Sequence, residues 1–548
     1  MFQKIPFLLF IIILFIYPTT IKAQNTVGVI ENTTDAFYGY TLFTVFKETY
    51  LINNCGEVIN QWTSNYNDGK SVYLLEDGSL LRAGLIENAN FLLPGIGGVI
   101  QKFDWDGNLT WEYSYSSSTF SQHHDISPLP NGNVLILAAA KKTGTEATDA
   151  GRDPSLLPDA ELYDEQIIEV TQTGPTTGTI VWEWNVWDHL IQDFDNSKTN
   201  FGVVSNNPQL LNINYIGGSG GKANWLHVNS MQYNDALNQI ILSSRQLNEF
   251  YIIDHSTTTV EAASHTGGDY GKGGDFLYRW GNPQTYNQGL STDQKLFGQH
   301  FPHFIPSGLV DAGKIMIYNN GFGRAPSYSE INIIDPLTDA PGVYSYVSNT
   351  AYGPLTVDYS YTDPIDQTNF YSSILSSAQR LPNGNTLICE GASGLFFEID
   401  SSENIVWQYI NPQDGTGNIF NQGETATGNR TFRATKYAID YPAFSGKDLT
   451  PSDPIESYSL PFVDNCTLLD IAENDIANYR LLPNPTKNVL LIKTSNTIEK
   501  IEVYTLLGQL VITNHNSKNI DLRQLSKGIY LIKVHSNNII ISEKIIKN

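Results

Sequence analysis

The sequence predicts an all-β chain: a six-bladed β-propeller followed by a small C-terminal β-sandwich. Three observations predict it: a composition rich in turn formers and aromatics, a repeated strand unit, and a change of pattern near residue 441. Aromatics make up 12% of the 548 residues, with 44 Gly and 25 Pro, as many short strands joined by turns require. The clearest copy of the unit is Leu381-Pro-Asn-Gly-Asn385, then TLICEGAS, GLFFEID ending at Asp400, and a Trp-bearing strand from Asn404 to Pro412. Related copies read LLEDGSLLRAG with VIQKFDWDGNLTWEY, and PLPNGNVLILAAA with QIIEVTQTG and TIVWEWN. Two more are NQIILSSRQLNEFYIIDHS with FLYRWGNP, and GKIMIYNNG with EINIIDP. YTLFTVFKETYLINNCGEVINQW makes six. Four short antiparallel strands per unit, repeated six times, is what a propeller needs.

The domain plan follows in chain order. Residues 1–23 read as a secretory signal peptide: Lys4 precedes an apolar run from Phe7 to Tyr17, too short to span a membrane, and Ala23 offers a small residue for cleavage. Residues 24–475 form the propeller, with a loop-rich stretch at 442–475. Residues 476–548 form the sandwich from the alternating strands NVLLIKT, KIEVYTLLGQLVIT, GIYLIKVHS and EKIIK. The longest insertion falls between Lys141 and Lys222. No transmembrane segment is expected in the mature protein.

A net charge of −24 excludes nucleic acid as a partner, since phosphate polymers need a clustered cationic surface. Three cysteines are too few for a disulfide scaffold. Cys389 sits in an apolar strand and reads as a buried thiol, whereas Cys55 and Cys466 flank the repeats, and a bridge between them would clasp the ring.

Aligning the units without gaps gives one slot, filled by Lys70, His124, His227, His300 and Ser376. In a radial repeat equivalent positions converge on the axis, so three imidazoles meet there. Packing alone has no reason to choose a titratable ring three times. Strand alternation directs His123 and Asp125 away from His124, and puts Asn229 on the face of His227. Arg245 ends the strand Gln239-Ile-Ile-Leu-Ser-Ser-Arg245, and its forked donors suit a tetrahedral oxyanion. Trp225, Phe301 and Tyr318 neighbour these positions, although most aromatics of a propeller belong to the core between blades. The cluster reads as an anion site. A metal-dependent hydrolase is disfavoured, because no carboxylate fills an equivalent slot and Arg245 repels a cation. No cofactor or metal is expected.

His124-Asp125 before LPNGN, the block His227-Val-Asn229 through Ser243-Ser-Arg245, Gln299-His300 before KIMIYNNG, and Ser376 through Thr386 resemble the bacterial aryl-sulfate sulfotransferases. The resemblance runs from about Ser71 to Asp440. It implies a ping-pong transfer of a sulfuryl group from an aryl sulfate to a phenol, without a nucleotide donor. His300 would be the sulfated nucleophile and His227 the proton carrier, with Arg245, Asn229 and His124 holding the sulfuryl oxygens. Ser376 or Ser377 would add a hydroxyl to substrate binding; His303 and Lys70 receive no role. The tail, through Leu507-Gly-Gln-Leu-Val511 and Leu525-Ser-Lys-Gly-Ile-Tyr-Leu531, resembles the C-terminal sorting domain of type IX secretion. That implies passage by the type IX machinery, with release or attachment at the cell surface. The competing class is a noncatalytic surface propeller that binds glycan or protein, which has no need of clustered imidazoles.

Overall fold

The computed structural model describes residues 25–457, 480–482, 484–494, 497–505, 509–536 and 539–548. The expected signal peptide and Cys466 lie outside them. Cys55 is disulfide-bonded, and Cys389 is free and buried. The described residues fall into two compact units, divided near Cys466.

The first unit is all-β, with six main antiparallel sheets of four or five strands. Named by the inner strand, the first sheet orders Ala434–Ala438, Gly39–Val45, Glu48–Ile52 and Val58–Thr63. The second orders Asp68–Leu74, Leu80–Leu85, Gly98–Phe103 and Leu109–Ser114. The third orders Phe120–Pro128, Val134–Thr143, Glu161–Gly174 and Thr177–Asn185. The fourth orders Val228–Asn234, Gln239–Ser244, Glu249–Asp254 and Tyr278–Trp280. The fifth orders His300–Phe304, Ile315–Asn319, Glu330–Ile334 and Tyr359–Tyr361. The sixth orders Ser377–Arg380, Thr386–Glu390, Leu395–Ile399 and Ile405–Ile410, with Gly28–Asn32 added at its outer edge.

The first sheet corrects the sequence reading in one respect. The N-terminal unit does not supply its own inner strand; Ala434–Ala438 pairs with Gly39–Val45, Phe43 opposite Ala434. The stretch from Lys141 to Lys222 is also less of an insertion than expected, since two strands of the third sheet run through it.

Apolar alternation along the strands buries a shared core between each sheet and the next. Leu135, Trp184, Leu242 and Tyr251 join the third to the fourth, and Ile241, Trp280, Phe304 and Ile317 the fourth to the fifth. Similar cores join fifth to sixth, sixth to first, first to second, and second to third. The succession returns to its start.

The Trp-bearing outer strand explains why the repeat keeps an indole. Trp62 of the first sheet donates its N–H to the Asp104 carbonyl at 2.8 Å, and Trp111 of the second to Thr177 O at 3.1 Å. Trp184 donates to Gly274 O, Trp280 to Pro354 O and Trp407 to Asn54 O, each at 2.8 Å. In the fifth sheet Tyr359 Oη fills the role, donating to Glu403 Oε1 at 3.0 Å. Each ring thus buries its apolar body and satisfies its donor on the following sheet, a contribution of about 1 kcal/mol per hydrogen bond beyond the area buried.

The slot residues share a backbone distortion. Lys70, His124, His227 and Ser376 have φ of +95°, +50°, +49° and +90°, and Phe301, one past His300, has +48°. Pairing registers slip beside four of these positions, between Asp68 and Val72, opposite His123–Asp125, between Val228 and Ser230, and between His300 and His303. A bulge re-aims side chains at a strand end and costs about 1–3 kcal/mol for each left-handed non-glycine residue.

The second unit holds a three-stranded sheet, Arg480–Leu482, Val489–Lys493 and Asn519–Asp521, and a four-stranded sheet, Leu510–His515, Lys500–Thr505, Gly528–Ser536 and Ile539–Lys547. They share one core, in which Leu490, Ile492 and Ile520 meet Ile501, Val503 and Ile532. Among the described residues no helix is long and apolar enough to cross a membrane.

Candidate active site

The bulged strand ends bring the three slot histidines into one buried group. The rings of His124 and His227 lie edge to face with centroids 4.8 Å apart, and a charge on His300 would oppose a charge on either. Burial is the first cause that holds His124 and His227 well below the ordinary imidazole pKa; the neighbouring rings, and Arg245 for His227, add to it. His300 is pushed down to about 3, by burial and then by Arg245. All three are neutral at pH 7.

His300 has a defined tautomer. Its Nδ1 lies 2.8 Å from Asn320 Oδ1, while Asn320 Nδ2 donates to the carbonyls of Ser372 at 2.7 Å and Leu375 at 3.1 Å. Two backbone carbonyls fix the amide nitrogen, so the amide oxygen must accept from His300. Nδ1 carries the proton, and Nε2 carries the lone pair.

For His227, Asn224 Nδ2 donates to Nδ1 at 2.8 Å, which places the proton on Nε2. Asn224 Oδ1 is buried without a hydrogen-bond partner. Half a turn of this amide presents Oδ1 to Nδ1 instead, a partner for the protonated ring.

His124 is held from behind. His123 Nδ1 lies 2.9 Å from His124 Nδ1, and His123 Nε2 lies 2.9 Å from Glu165 Oε2. This departs from the expected alternation: His124 occupies the left-handed region, so the two adjacent rings converge instead of facing opposite ways. Glu165 Oε1 also accepts from the Val228 amide at 2.9 Å, tying the third sheet to the residue after His227. Gly95, at φ +77°, lies against the face of the His124 ring, and a Cβ there would run into it.

Two guanidiniums flank the imidazoles. Arg245 Nη2 donates to Ser373 O at 3.3 Å and its head stacks on Phe322 at 4.5 Å; among the described residues no carboxylate pairs with it. Arg433 is neutralised by Asp125, Nη2 to Oδ2 at 2.7 Å, and donates to Tyr73 Oη at 2.8 Å while lying 3.7 Å over Phe301. Asp125 thus turns away from His124 and serves Arg433. Lys70 pairs with Asp68 at 2.8 Å. Arg245 is the one uncompensated charge of the group.

The other expected residues are placed less directly. Asn229 lies at the bulge between Val228 and Ser230, and its Nδ2 donates to the Gln299 carbonyl at 2.7 Å, steadying the backbone before His300. Ser376 Oγ donates to Ser372 Oγ and accepts from the Gly391 amide, both at 2.9 Å, and Ser377 pairs with Cys389 across the sheet. His303 stacks on Phe301 at 4.5 Å and its Nδ1 faces the Phe301 carbonyl. Trp225 and Tyr318 are buried in cores, while Phe301 and Phe432 lie under Arg433 and Phe322 under Arg245.

Asn320, Asn224, Glu165, His123 and Arg433 escaped the sequence reading. Arg433 alone carried a signal: it precedes Ala434–Ala438 as His227 precedes Val228–Asn234.

Neutral imidazoles beside one unpaired guanidinium, on the inner strands of repeated antiparallel sheets, define a protein of the class that handles a small anion. The chain belongs to the arylsulfotransferase family, whose model matches residues 26–435. Membership supports sulfotransferase activity. Residues 480–548 match the secretion system C-terminal sorting domain, which marks the protein for export by type IX secretion and release or attachment at the cell surface. No curated protein matches the chain. Solved structures similar to it include a protein of unknown function from Bacteroides caccae, 11% identical, covering 68% of this chain and 93% of that one with a TM-score of 0.36. The periplasmic gluconolactonase of Pseudomonas aeruginosa is 9% identical, covering 74% and 100%, with a TM-score of 0.36. Virginiamycin B lyase from Staphylococcus aureus is 11% identical, covering 70% and 88%, with a TM-score of 0.31.

Proposed function

We propose that the six sheets are blades of a β-propeller, that the tail is a β-sandwich, and that the propeller centre transfers a sulfuryl group from an aryl sulfate to a phenol through a sulfated His300. The observation that carries this reading is the pairing of a lone-pair Nε2 on His300 with a single uncompensated positive charge on Arg245. An aryl sulfate carries one negative charge, which the site matches.

His300 Nε2 attacks sulfur, the N–S bond forms, and the S–O bond to the ring breaks. The imidazole becomes cationic, and Asn320 Oδ1, already accepting from Nδ1–H, stabilises that charge. Arg245 holds the sulfuryl oxygens as charge shifts between them. Binding of the anion raises the basicity of His227, which supplies a proton to the departing oxygen and recovers one from the acceptor phenol. Phenol attack on sulfur then breaks the N–S bond and restores His300. For His124 to donate to a sulfuryl oxygen through Nε2, its Nδ1 must accept from His123 Nδ1, whose ring is held on its far side by Glu165.

Incubation with p-nitrophenyl sulfate and a phenol acceptor, without metal or nucleotide, tests the reading. Nitrophenol release and a sulfated His300 peptide are expected. Release that survives His300→Ala, or that requires a divalent metal, would overturn it.

A further inference from the structure

A second histidine cluster lies outside the centre. His189 ends the short helix Val186–His189 that follows the outer strand of the third sheet, while His265 and Asp275 lie between the helix Thr259–Ala262 and the outer strand of the fourth. His189 Nδ1 and His265 Nδ1 each lie 2.8 Å from the same oxygen, Asp275 Oδ1. Among the described residues it is the one group of three His, Cys, Asp or Glu ligand atoms that converge, all within 4.8 Å of one another.

The orientation of His189 adds an independent reason to look for a cation. Its Nε2 lies 2.8 Å from the Ala262 carbonyl, which can only accept, so Nε2 carries a proton; the neutral ring then turns its Nδ1 lone pair on the acceptor-only Asp275 Oδ1, a contact that needs a proton or a metal ion on Nδ1. A metal-bound imidazole is oriented in this way, its remote N–H held by a backbone carbonyl. Trp184 stacks on His189 with rings 7° from parallel, and its indole N–H grips Gly274 O beside Asp275. His189 is buried whereas His265 is 60% exposed on its side chain, so one side of the set opens to solvent.

We propose that His189 Nδ1, His265 Nδ1 and Asp275 Oδ1 bind a divalent transition-metal ion of the zinc class, clasping the third sheet to the fourth. Two nitrogens and one oxygen suit zinc, with water as the fourth ligand. Tetrahedral bonds of about 2.0–2.1 Å hold ligand atoms about 3.3 Å apart, so Asp275 Oδ1, now 2.8 Å from both nitrogens, has to draw back by about half an ångström while the exposed His265 adjusts to it. Asp188 acts electrostatically on both rings and adds negative charge to the site. The clasp stands at the root of the segment 190–227 that leads from the third sheet to the inner strand of the fourth. It is independent of sulfuryl transfer.

The test is metal analysis of the full-length protein after zinc loading and gel filtration. About one zinc per chain is expected, falling at least tenfold in His265→Ala, whose exposed position leaves the fold intact. Asp275→Asn should behave likewise. His300→Ala, which alters the other histidine cluster, should keep its zinc. Added zinc should raise the Tm of the parent and leave that of His265→Ala unchanged. Zinc content in the parent no higher than in His265→Ala would overturn the proposal, as would loss of zinc in His300→Ala with retention in His265→Ala.

Discussion

Asn320 Oδ1 accepts the Nδ1 proton of His300 at 2.8 Å, and two backbone carbonyls forbid the amide from turning. Asn320→Leu should therefore slow sulfation of His300 by about 10–100-fold, as loss of an orienting partner does. Asn320→Asp keeps an acceptor and adds a charge that raises the His300 pKa, so the acid limb of the sulfation rate should move upward from near 3. Rapid-mix measurement of the first nitrophenol burst against pH reads both. An unchanged profile in Asn320→Asp counts against the assigned tautomer.

The Glu165–His123–His124 chain holds the His124 ring from behind. Glu165→Gln removes the carboxylate that orients His123, so turnover should fall by about 10–100-fold. Steady-state kinetics of the folded variant reads this, and unchanged turnover would leave Glu165 a packing role alone.

Arg245 carries the unpaired charge. Arg245→Ala should lower kcat/KM by about 10²–10³-fold, and Arg245→Lys should recover only part, since an ammonium lacks the fork. Steady-state kinetics with an aryl sulfate tests this, and near-wild-type kinetics for Arg245→Ala would remove the anion site.

Stability should weaken in acid. His124, His227, His300 and His303 are held below the ordinary imidazole pKa of 6.5, His300 to about 3 and His303 to about 4, mainly by burial. The unfolded chain then binds more protons than the folded one between those values and 6.5, so stability is full above about 6.5 and falls as pH drops toward 3. Each imidazole contributes up to about 1.4 kcal/mol per pH unit within its window. Denaturant unfolding at pH 7.5 and 5 should show the difference, and His303→Phe should reduce it.

The indole hydrogen bonds should matter to stability and not to chemistry. Trp280→Phe leaves the Pro354 carbonyl without its donor and should cost about 1–3 kcal/mol with turnover unchanged. Thermal unfolding and nitrophenol release from the same preparation separate the two.

Alternation and turn residues made the strands and the Trp-bearing outer edges legible, because local pattern and tertiary burial agree there. Gap-free alignment also made His124, His227 and His300 legible, since a repeat carries equivalent positions to equivalent places. Alternation failed for His123 because positive φ and register slips are properties of the folded strand end that residue type does not announce. Asn320 and Glu165 act through hydrogen bonds between separate segments of the chain, and no periodicity marks such pairs. The inner strand of the first sheet was hidden for a topological reason: its partner lies at the other end of the unit.

That last strand has a consequence for when the protein can work. Arg433 reaches the centre only because Ala434–Ala438 returns to pair with Gly39–Val45. A chain lacking that strand keeps every imidazole of the cluster and loses the guanidinium that pairs with Asp125. The electrostatics of the centre are thus set by a residue 308 positions downstream of Asp125, so the cluster is complete only once the first sheet has been zipped.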